Sequence, residues 1–255
     1  MRITLLPSSF ATESHRQYLT TFLINETIAV DAGSLGLNGS PQTQMKIRHI
    51  FISHTHMDHI ASLPMFLENV YGSHREAVTL YGSDAVVNCL IQDVFNGRIW
   101  PNFITTGNAA SSPFLNICRL KPYESINIED LTITPVPVDH VVPTLGFIFE
   151  DSQASVVITS DTGPTEAIWK VAGQRRNLKA VFLEASFPKV FDQLAESTLH
   201  LTTEGFLTEV KKIPRGTRLL AVHLKPRFFD VISAELAALD INDLEICQPG
   251  QCYDF

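Results

Sequence analysis

A layered α/β fold, with sheets covered by helices, is what this 255-residue sequence predicts, and three observations carry that reading. Short β-rich runs alternate with helical patterns along the chain, the ordering expected of layered α/β proteins. Runs separated only by turns recur in both halves, as hairpins would. Histidines and carboxylates fall repeatedly at the C-terminal ends of the apolar runs, where the sites of such folds converge.

The elements follow in order. "MRITLLP", "YLTTFLI" and "TIAVDAG" read as strands, and "IRHIFISH" as the next. "HIASLPMFLENVY" has helical spacing, "AVTLYG" is a strand, and "SDAVVNCLIQDVF" is again helical. "LTITPVPVDH", "LGFIFED" and "ASVVITSDTG" form a second block of strands. "PTEAIWKVAG" is expected to be a helix with Pro164 at its first position, where the missing N–H costs nothing. "KAVFLEAS", "LTTEGFLTEVKKI" and "TRLLAVHLKP" give strand, helix and strand. No repeat or long Pro/Gly/Ser linker interrupts the pattern, so residues 1–255 are expected to be one domain.

Composition narrows the function classes. Hydrophobic residues make up 45% and charged residues 18%, which suits a globular enzyme and excludes disorder. A net charge of −8 disfavours a nucleic-acid polymer as partner. A small anion can still bind where bound cations reverse the local sign. No run reaches the roughly 18 apolar residues of a membrane span, and "MRITLLPSSFATESHRQ" lacks an apolar stretch long enough for export. Cys89, Cys118, Cys247 and Cys252 are scattered without a CxxC pair, which indicates free thiols in the cytoplasm. A homodimer is compatible with all of this.

The chemistry begins at "HTHMDH" (His54 to His59). His54 and His56 are two apart and can point the same way from an extended strand end. Asp58 and His59 fall on a turn entering a helix, where they could reach a second ion. The motif supplies two ligands to each of two metals and completes neither shell. His140, Asp161 and His223 end later strands and could fill the remainder, with Asp161 able to bridge. Glu184 ends a strand in the same way. His15, His49 and His74 have no such setting and are expected to be structural.

"HTHMDHIASL" resembles the HxHxDH signature of the metallo-β-lactamase fold superfamily. "TIAVDAGS", "VDH", "ITSDTG" and "VHLKP" resemble its other site motifs. The resemblance implies a four-layer αββα sandwich, with two mixed sheets flanked by helices. It implies His54, His56 and His140 on one metal, Asp58, His59 and His223 on the other, and Asp161 between them. Asp31 would support the site from behind. Within the superfamily, "DVFNGRIWPNF", "SDTGP", "FLEASFP", "HLT" and "VHLKP" resemble the class II cyclic-nucleotide phosphodiesterases. Met57 and Ser62 stand where that family usually has Leu and Gly.

The implied reaction is metal-dependent hydrolysis of 3′,5′-cyclic AMP or GMP to the 5′-monophosphate, with a cyclic nucleotide as the small-molecule partner. Two divalent ions, Zn2+ or else Mn2+ or Fe2+, would activate water. Asp58 would orient it, and His200, steadied by Glu184, would protonate the leaving oxygen, unless His200 is a helix-capping residue. Phe95, Trp100 and Phe103 could wall the purine or simply be core; Asn96 and Asn102 could read base edges or cap turns. Lys225 and Arg227 could contact phosphate or face solvent. Two alternatives stand beside this reading: a tRNA 3′-processing endonuclease, and a non-catalytic metal-binding member of the fold. Lactam and thioester hydrolysis are lesser options.

Overall fold

The computed structural model describes residues 1–9, 14–71, 77–103, 114–175 and 177–255, and their strands form two seven-stranded sheets. The first contains β1 (Arg2–Leu5), β2 (Phe22–Ile24), β3 (Ile28–Val30), β4 (His49–Phe51), β5 (Val78–Gly82) and β6 (Leu115–Arg119). The second contains β7 (Ile126–Ile128), β8 (Leu131–Val138), β9 (Thr144–Glu150), β10 (Ser155–Ile158), β11 (Leu178–Glu184), β12 (Arg218–Val222) and β13 (Leu244–Ile246). The last strand, β14 (Cys252–Asp254), returns to pair with β1 at the edge of the first sheet.

Strand direction places the site. From β3 to β6 the first sheet is parallel, so β3 and β4 end at one edge. In the second sheet β8 is antiparallel to β9, and β9 to β10, after which β11 to β13 run parallel. Strands β8, β10, β11 and β12 therefore all finish at a common edge. His140, Asp161 and His223 come shortly after β8, β10 and β12, and β11 ends on Glu184. The Leu145 N–H donates to Ser53 O (3.2 Å), joining the second sheet to the loop after β4.

Alternation turns one face of each sheet inward. Ile3 and Leu5, Phe147 and Phe149, and Phe182 meet in a core between the sheets, where Phe51 contacts Phe147 edge-on at 5.5 Å. Each such side chain contributes roughly 1.5–3 kcal/mol on leaving water. Strands β10 and β11 are buried on both faces, which is why "SVVI" and "AVFL" read as unbroken apolar runs. Helices α1 (Pro41–Gln44), α2 (Met57–Ile60), α3 (Leu63–Asn69) and α4 (Asp84–Cys89) lie along the first half. Leu63, Phe66 and Val86 from α3 and α4 pack with Ile50 and Leu80 on that sheet's outer face. In the second half come α5 (Ala167–Ala172), α6 (Asp192–Thr198), α7 (Thr203–Val210) and α8 (Phe229–Ala237). Ile168, Phe206 and Ile232 cover Val157, Val181 and Ala221 there. The architecture is thus helix, sheet, sheet, helix, as expected.

Three details differ from the sequence reading. "HIASLPMFLENVY" is two helices, because Pro64 near the start of α3 cannot donate into a preceding turn. Asp58 and His59 consequently lie inside α2. "PTEAIWKVAG" becomes helical only at Ala167, so Pro164 belongs to the loop carrying Asp161. Strands β6, β7, β13 and β14 and helices α1, α6 and α8 are additional; three of those four strands have only three residues, too few to show a period. The four cysteines are all free, in keeping with their scatter.

Candidate active site

Three of the strand ends turn sharply to aim side chains at one point. Asp31 after β3, Ser160 after β10 and His223 after β12 have φ of 60°, 58° and 60°. That left-handed region costs an L-residue roughly 1–2 kcal/mol, and it persists where surrounding contacts over-determine it. The Asp31 N–H donates to Phe51 O (2.7 Å), and the His223 N–H donates to the buried Gln17 Oε1 (2.9 Å).

The expected ligands converge. His54, His56, His140 and Asp161 form one group, and Asp58, His59, Asp161 and His223 another; within each, one nitrogen or oxygen per residue lies within 4.8 Å of the rest. Asp161 belongs to both, with Oδ1 3.3 Å from His59 Nε2 and Oδ2 3.8 Å from His54 Nε2 and 3.4 Å from His223 Nε2. His223 Nε2 is 3.1 Å from Asp58 Oδ2. His140 Nε2 and His56 Nδ1 are 3.2 Å apart.

The opposite nitrogens are held from outside the cluster. His59 Nδ1 meets Asp31 Oδ2 at 2.7 Å, and His140 Nδ1 meets Leu199 O at 3.0 Å. Two serines complete the set. The Ser53 hydroxyl donates to Asp31 Oδ2 (2.9 Å), so toward His54 Nδ1 (3.0 Å) it can only accept. Likewise the Ser186 hydroxyl donates to Glu184 Oε2 (2.5 Å) and accepts toward His223 Nδ1 (2.9 Å). A hydroxyl has one proton to give, so both histidines carry theirs on Nδ1. Nε2 of each ring then faces the cluster, where a metal ion would displace any proton it carries.

The electrostatics agree with a cation site. Burial, then the neighbouring His59, pushes His54 down to about 2, leaving a neutral ring with a free lone pair. Burial also lowers His56 and His140. Burial acts to raise Asp58 and Asp161, yet the hydrogen bond from His223 and then its charge at Asp58, and the charges of His223 and His59 at Asp161, more than offset it and hold both carboxyls well below the usual range. His59 is the converse: burial opposes its charge, but Asp161 and Asp31 raise it well above the ordinary imidazole value. A proton on His59 thus supplies positive charge that the carboxylates demand and that a divalent ion would supply instead. His54 Nε2 and His59 Nε2 are buried and make no hydrogen bond, although Asp161 oxygens are close. Two buried ring nitrogens that face a shared carboxylate without a hydrogen bond fit a divalent cation held among them.

Beside the cluster lies a second unit. Glu184 is fully buried and accepts from the Thr162 N–H (2.7 Å), the Leu201 N–H (3.2 Å), the Ser186 hydroxyl and His200 Nδ1 (2.8 Å). Burial opposes ionisation of the pair, but their mutual attraction prevails, lowering Glu184 and raising His200. The His200 ring is 4.9 Å from that of His140 and stacks on His223 at 5.6 Å. It follows the left-handed Leu199 that ends α6, and the next helix, α7, is capped by Thr202, so the His200 side chain caps no helix start.

The proposed purine wall is elsewhere. Phe95 is fully buried in the outer core of the first sheet, with Trp100 and Phe103 packed against it. Phe103 contacts Phe114 (5.1 Å) and Tyr71 (6.2 Å) rather than the histidines. Asn96 caps its own turn, accepting from the Arg98 and Ile99 N–H groups at 2.9 Å and donating back to Gln92 and Asp93 carbonyls. Asn102 is half-buried in the same segment. The aromatics of FNGRIWPNF thus pack on the outer core, while Ile99 between them is 68% exposed. His49 bonds the Tyr81 hydroxyl (3.0 Å) and His15 packs on Phe229 (5.0 Å), both structural as expected, while His74 lies outside the described residues. Ser53, Ser186 and Gln17 belong to no sequence motif above; the signal for the serines is a small hydroxyl beside a strand-end ligand, in "FISH" and "EAS".

Comparison with known proteins fits this geometry. A family model described as a beta-lactamase superfamily domain matches residues 27–224. A probable 3′,5′-cyclic-nucleotide phosphodiesterase of Yersinia pestis is 26% identical over 211 residues, covering 72% of this chain and 59% of that protein. The chain therefore spans about three-fifths of that relative's length. A ribonuclease Z of Methanococcus maripaludis is 23% identical over 241 residues, covering 74% of each chain. Among solved structures, unliganded yeast PDE1 superposes with a TM-score of 0.75 at 19% identity over 96% of both chains, a likeness of fold.

Proposed function

The chain belongs to the beta-lactamase superfamily, and from that premise we propose that it hydrolyses 3′,5′-cyclic nucleotides to 5′-monophosphates. The observation that carries the reading is the pair of ligand groups sharing Asp161, with Glu184 and His200 beside them. Similarity to a relative named as a cyclic-nucleotide phosphodiesterase supports the substrate class. We read residues 1–255 as one hydrolase domain, since the core between the sheets draws on Ile3 and Tyr253 alike. Four free thiols favour a reducing compartment, the cytoplasm. Among the described residues no helix is long and apolar enough to cross a membrane.

The cofactor in this proposal is a pair of Zn2+ ions. His54, His56 and His140 would hold one, Asp58, His59 and His223 the other, with Asp161 shared. When bound, such ions lower the pKa of water and offset negative charge gathering on phosphorus. The chain's own residues do the rest. Asp58, held ionised, accepts a hydrogen bond from the attacking water and orients it. Glu184 fixes His200 Nδ1, so Nε2 is the nitrogen left to give a proton to the departing 3′-oxygen. Burial opposes the charge, but Glu184 raises His200 above the ordinary imidazole value, which favours keeping that proton. Asp31 and the two serines keep the ligand rings from turning.

Ribonuclease Z relatives make tRNA 3′-processing the second reading. The −8 charge weighs against it, because a large RNA needs many cationic contacts. Offering cyclic AMP and a precursor tRNA to the same zinc-loaded preparation separates the two. Release of 5′-AMP with the tRNA left whole supports our reading, and tRNA cleavage without 5′-AMP overturns it.

A further inference from the structure

With the FNGRIWPNF aromatics committed to the first sheet's outer core, a nucleotide base needs another platform. A chain of rings leads out from His200. Phe187 meets it edge-on at 5.8 Å, Phe228 lies 6.2 Å from Phe187, and Phe191 is 4.7 Å from Phe228. Phe228 and Phe191 are only half-buried. Val190 and Leu194, neighbours of Phe191 in sequence, are 78% and 42% exposed. Exposed apolar side chains clustered in this way mark a binding surface more often than a bare exterior.

The same edge carries positive charge in an acidic protein. Lys225 follows ligand His223 by two residues, and its ammonium lies 3.6 Å from Asp58 Oδ2, directly at the metal cradle. The Phe228 N–H donates to Lys225 O (2.8 Å), closing one turn, so the cation and the ring rise from a single rigid corner. The Arg227 guanidinium lies over the Phe228 ring at 5.3 Å and adds a second planar surface. A lysine faces the reacting centre, while an aromatic and an arginine stand one turn farther out. An anion joined to a flat, stackable group would span this order.

We propose that the Lys225–Phe228 turn is a nucleotide grip, with Lys225 on the phosphate and Phe228, backed by Phe187 and Phe191, stacking the base beside Arg227. It rests on the hydrolase reading above for its ligand class and extends it to a base subsite. Stacking on an aromatic side chain strengthens binding about fivefold to a hundredfold per base, whereas an ammonium acts on the phosphate whatever is attached to it.

The test compares the dissociation constants of 5′-AMP and ribose 5-phosphate for the zinc-loaded protein, by calorimetry. Wild type should bind 5′-AMP at least about fivefold more tightly. Phe228→Leu, which keeps apolar volume but no ring face, should erase that gap, and Phe228→Tyr should restore it. Lys225→Met should weaken both ligands about equally. The grip is overturned if wild type shows no preference for 5′-AMP, if the preference survives Phe228→Leu, or if Lys225→Met leaves both affinities unchanged. A protein that shows the preference yet never turns over cyclic AMP refutes the hydrolase reading and leaves the grip standing.

Discussion

Ser53 and Ser186 do the same job at opposite sides of the cluster. Each hydroxyl spends its proton on a carboxylate and so fixes the tautomer of the histidine it touches. Ser186→Ala strips Glu184 of a donor and leaves a buried Nδ1–H without an acceptor, a loss of about 1–3 kcal/mol. Zinc affinity, read by chelator competition, is predicted to fall about 10–100-fold, as it does when partners behind a ligand are removed. Ser186→Thr should recover most of it, and unchanged affinity in the alanine variant would refute the role. Asp31→Asn is expected to behave similarly, since Ser53 N–H, the Ser53 hydroxyl and His59 Nδ1 all donate to that carboxylate and an amide nitrogen cannot accept. His200 sets a pH limit. Its folded value is raised above 6.5 by Glu184 against the opposing effect of burial, so its ion pair with Glu184 stabilises fully below that pH and fades as pH rises through the folded value. Turnover should fall on the alkaline side over the same window, and a pH–rate profile of His200→Gln should lack that limb. A profile identical in shape to wild type would remove His200 from the mechanism. The ligands were legible because histidine and aspartate rarely crowd strand ends by chance. The serines were not, since serine is common and only the fold shows which neighbours its hydroxyl meets.

Among elements, the "DAGS" turn after β3 leaves no room for a side chain at Gly33. A Cβ on Gly33 would lie 2.0 Å from Asp58 O and 2.8 Å from the Thr20 backbone, so the turn packs directly under the ligand helix α2. Gly33→Ala is predicted to cost about 1–3 kcal/mol, lowering the melting temperature by roughly 2–4 °C per kcal/mol. Zinc affinity should fall with it, because the clash displaces Asp58. A variant that melts and binds zinc like wild type would show that the turn yields. The departure at Ser62 has a local reason: its hydroxyl donates to Ala32 O (2.9 Å) and accepts from the Gly36 N–H (2.8 Å), tying α3 to this same turn. Met57, the other departure, is 68% exposed and constrains nothing behind it. Strands β3, β4, β10, β11 and β12 could be read from sequence because their apolar runs end abruptly in a polar residue. The split of α2 from α3 depends on Pro64 together with the Ser62 hydroxyl bonds, and only the first of these is visible in a one-dimensional pattern. FNGRIWPNF left two readings open, a purine wall or core: its aromatics are those a base would want, yet they pack on the outer core of the first sheet, and no local periodicity reports which surface a loop covers.

At the scale of the molecule, the two sheets share one core and present their strand ends together, so ligands 54 to 223 meet without any one segment carrying a complete site. Stability and metal are then linked. Removing metal with a chelator should lower the melting temperature, since an ion at 100 times its dissociation constant contributes about 2.7 kcal/mol; zinc should restore it, and a melt indifferent to both would argue against the cluster binding metal. With an overall charge of −8, attraction of an anionic substrate to the site falls to local cations such as Lys225 and to bound metal. The central claim is that two ions in the Asp161-bridged cradle are needed for phosphodiester hydrolysis. It is tested most directly by titrating zinc into metal-free protein while following 5′-AMP release from cyclic AMP. The account predicts activity that rises to a plateau at two equivalents and is absent in Asp161→Ala; a plateau at one equivalent, or full activity in that variant, would contradict it.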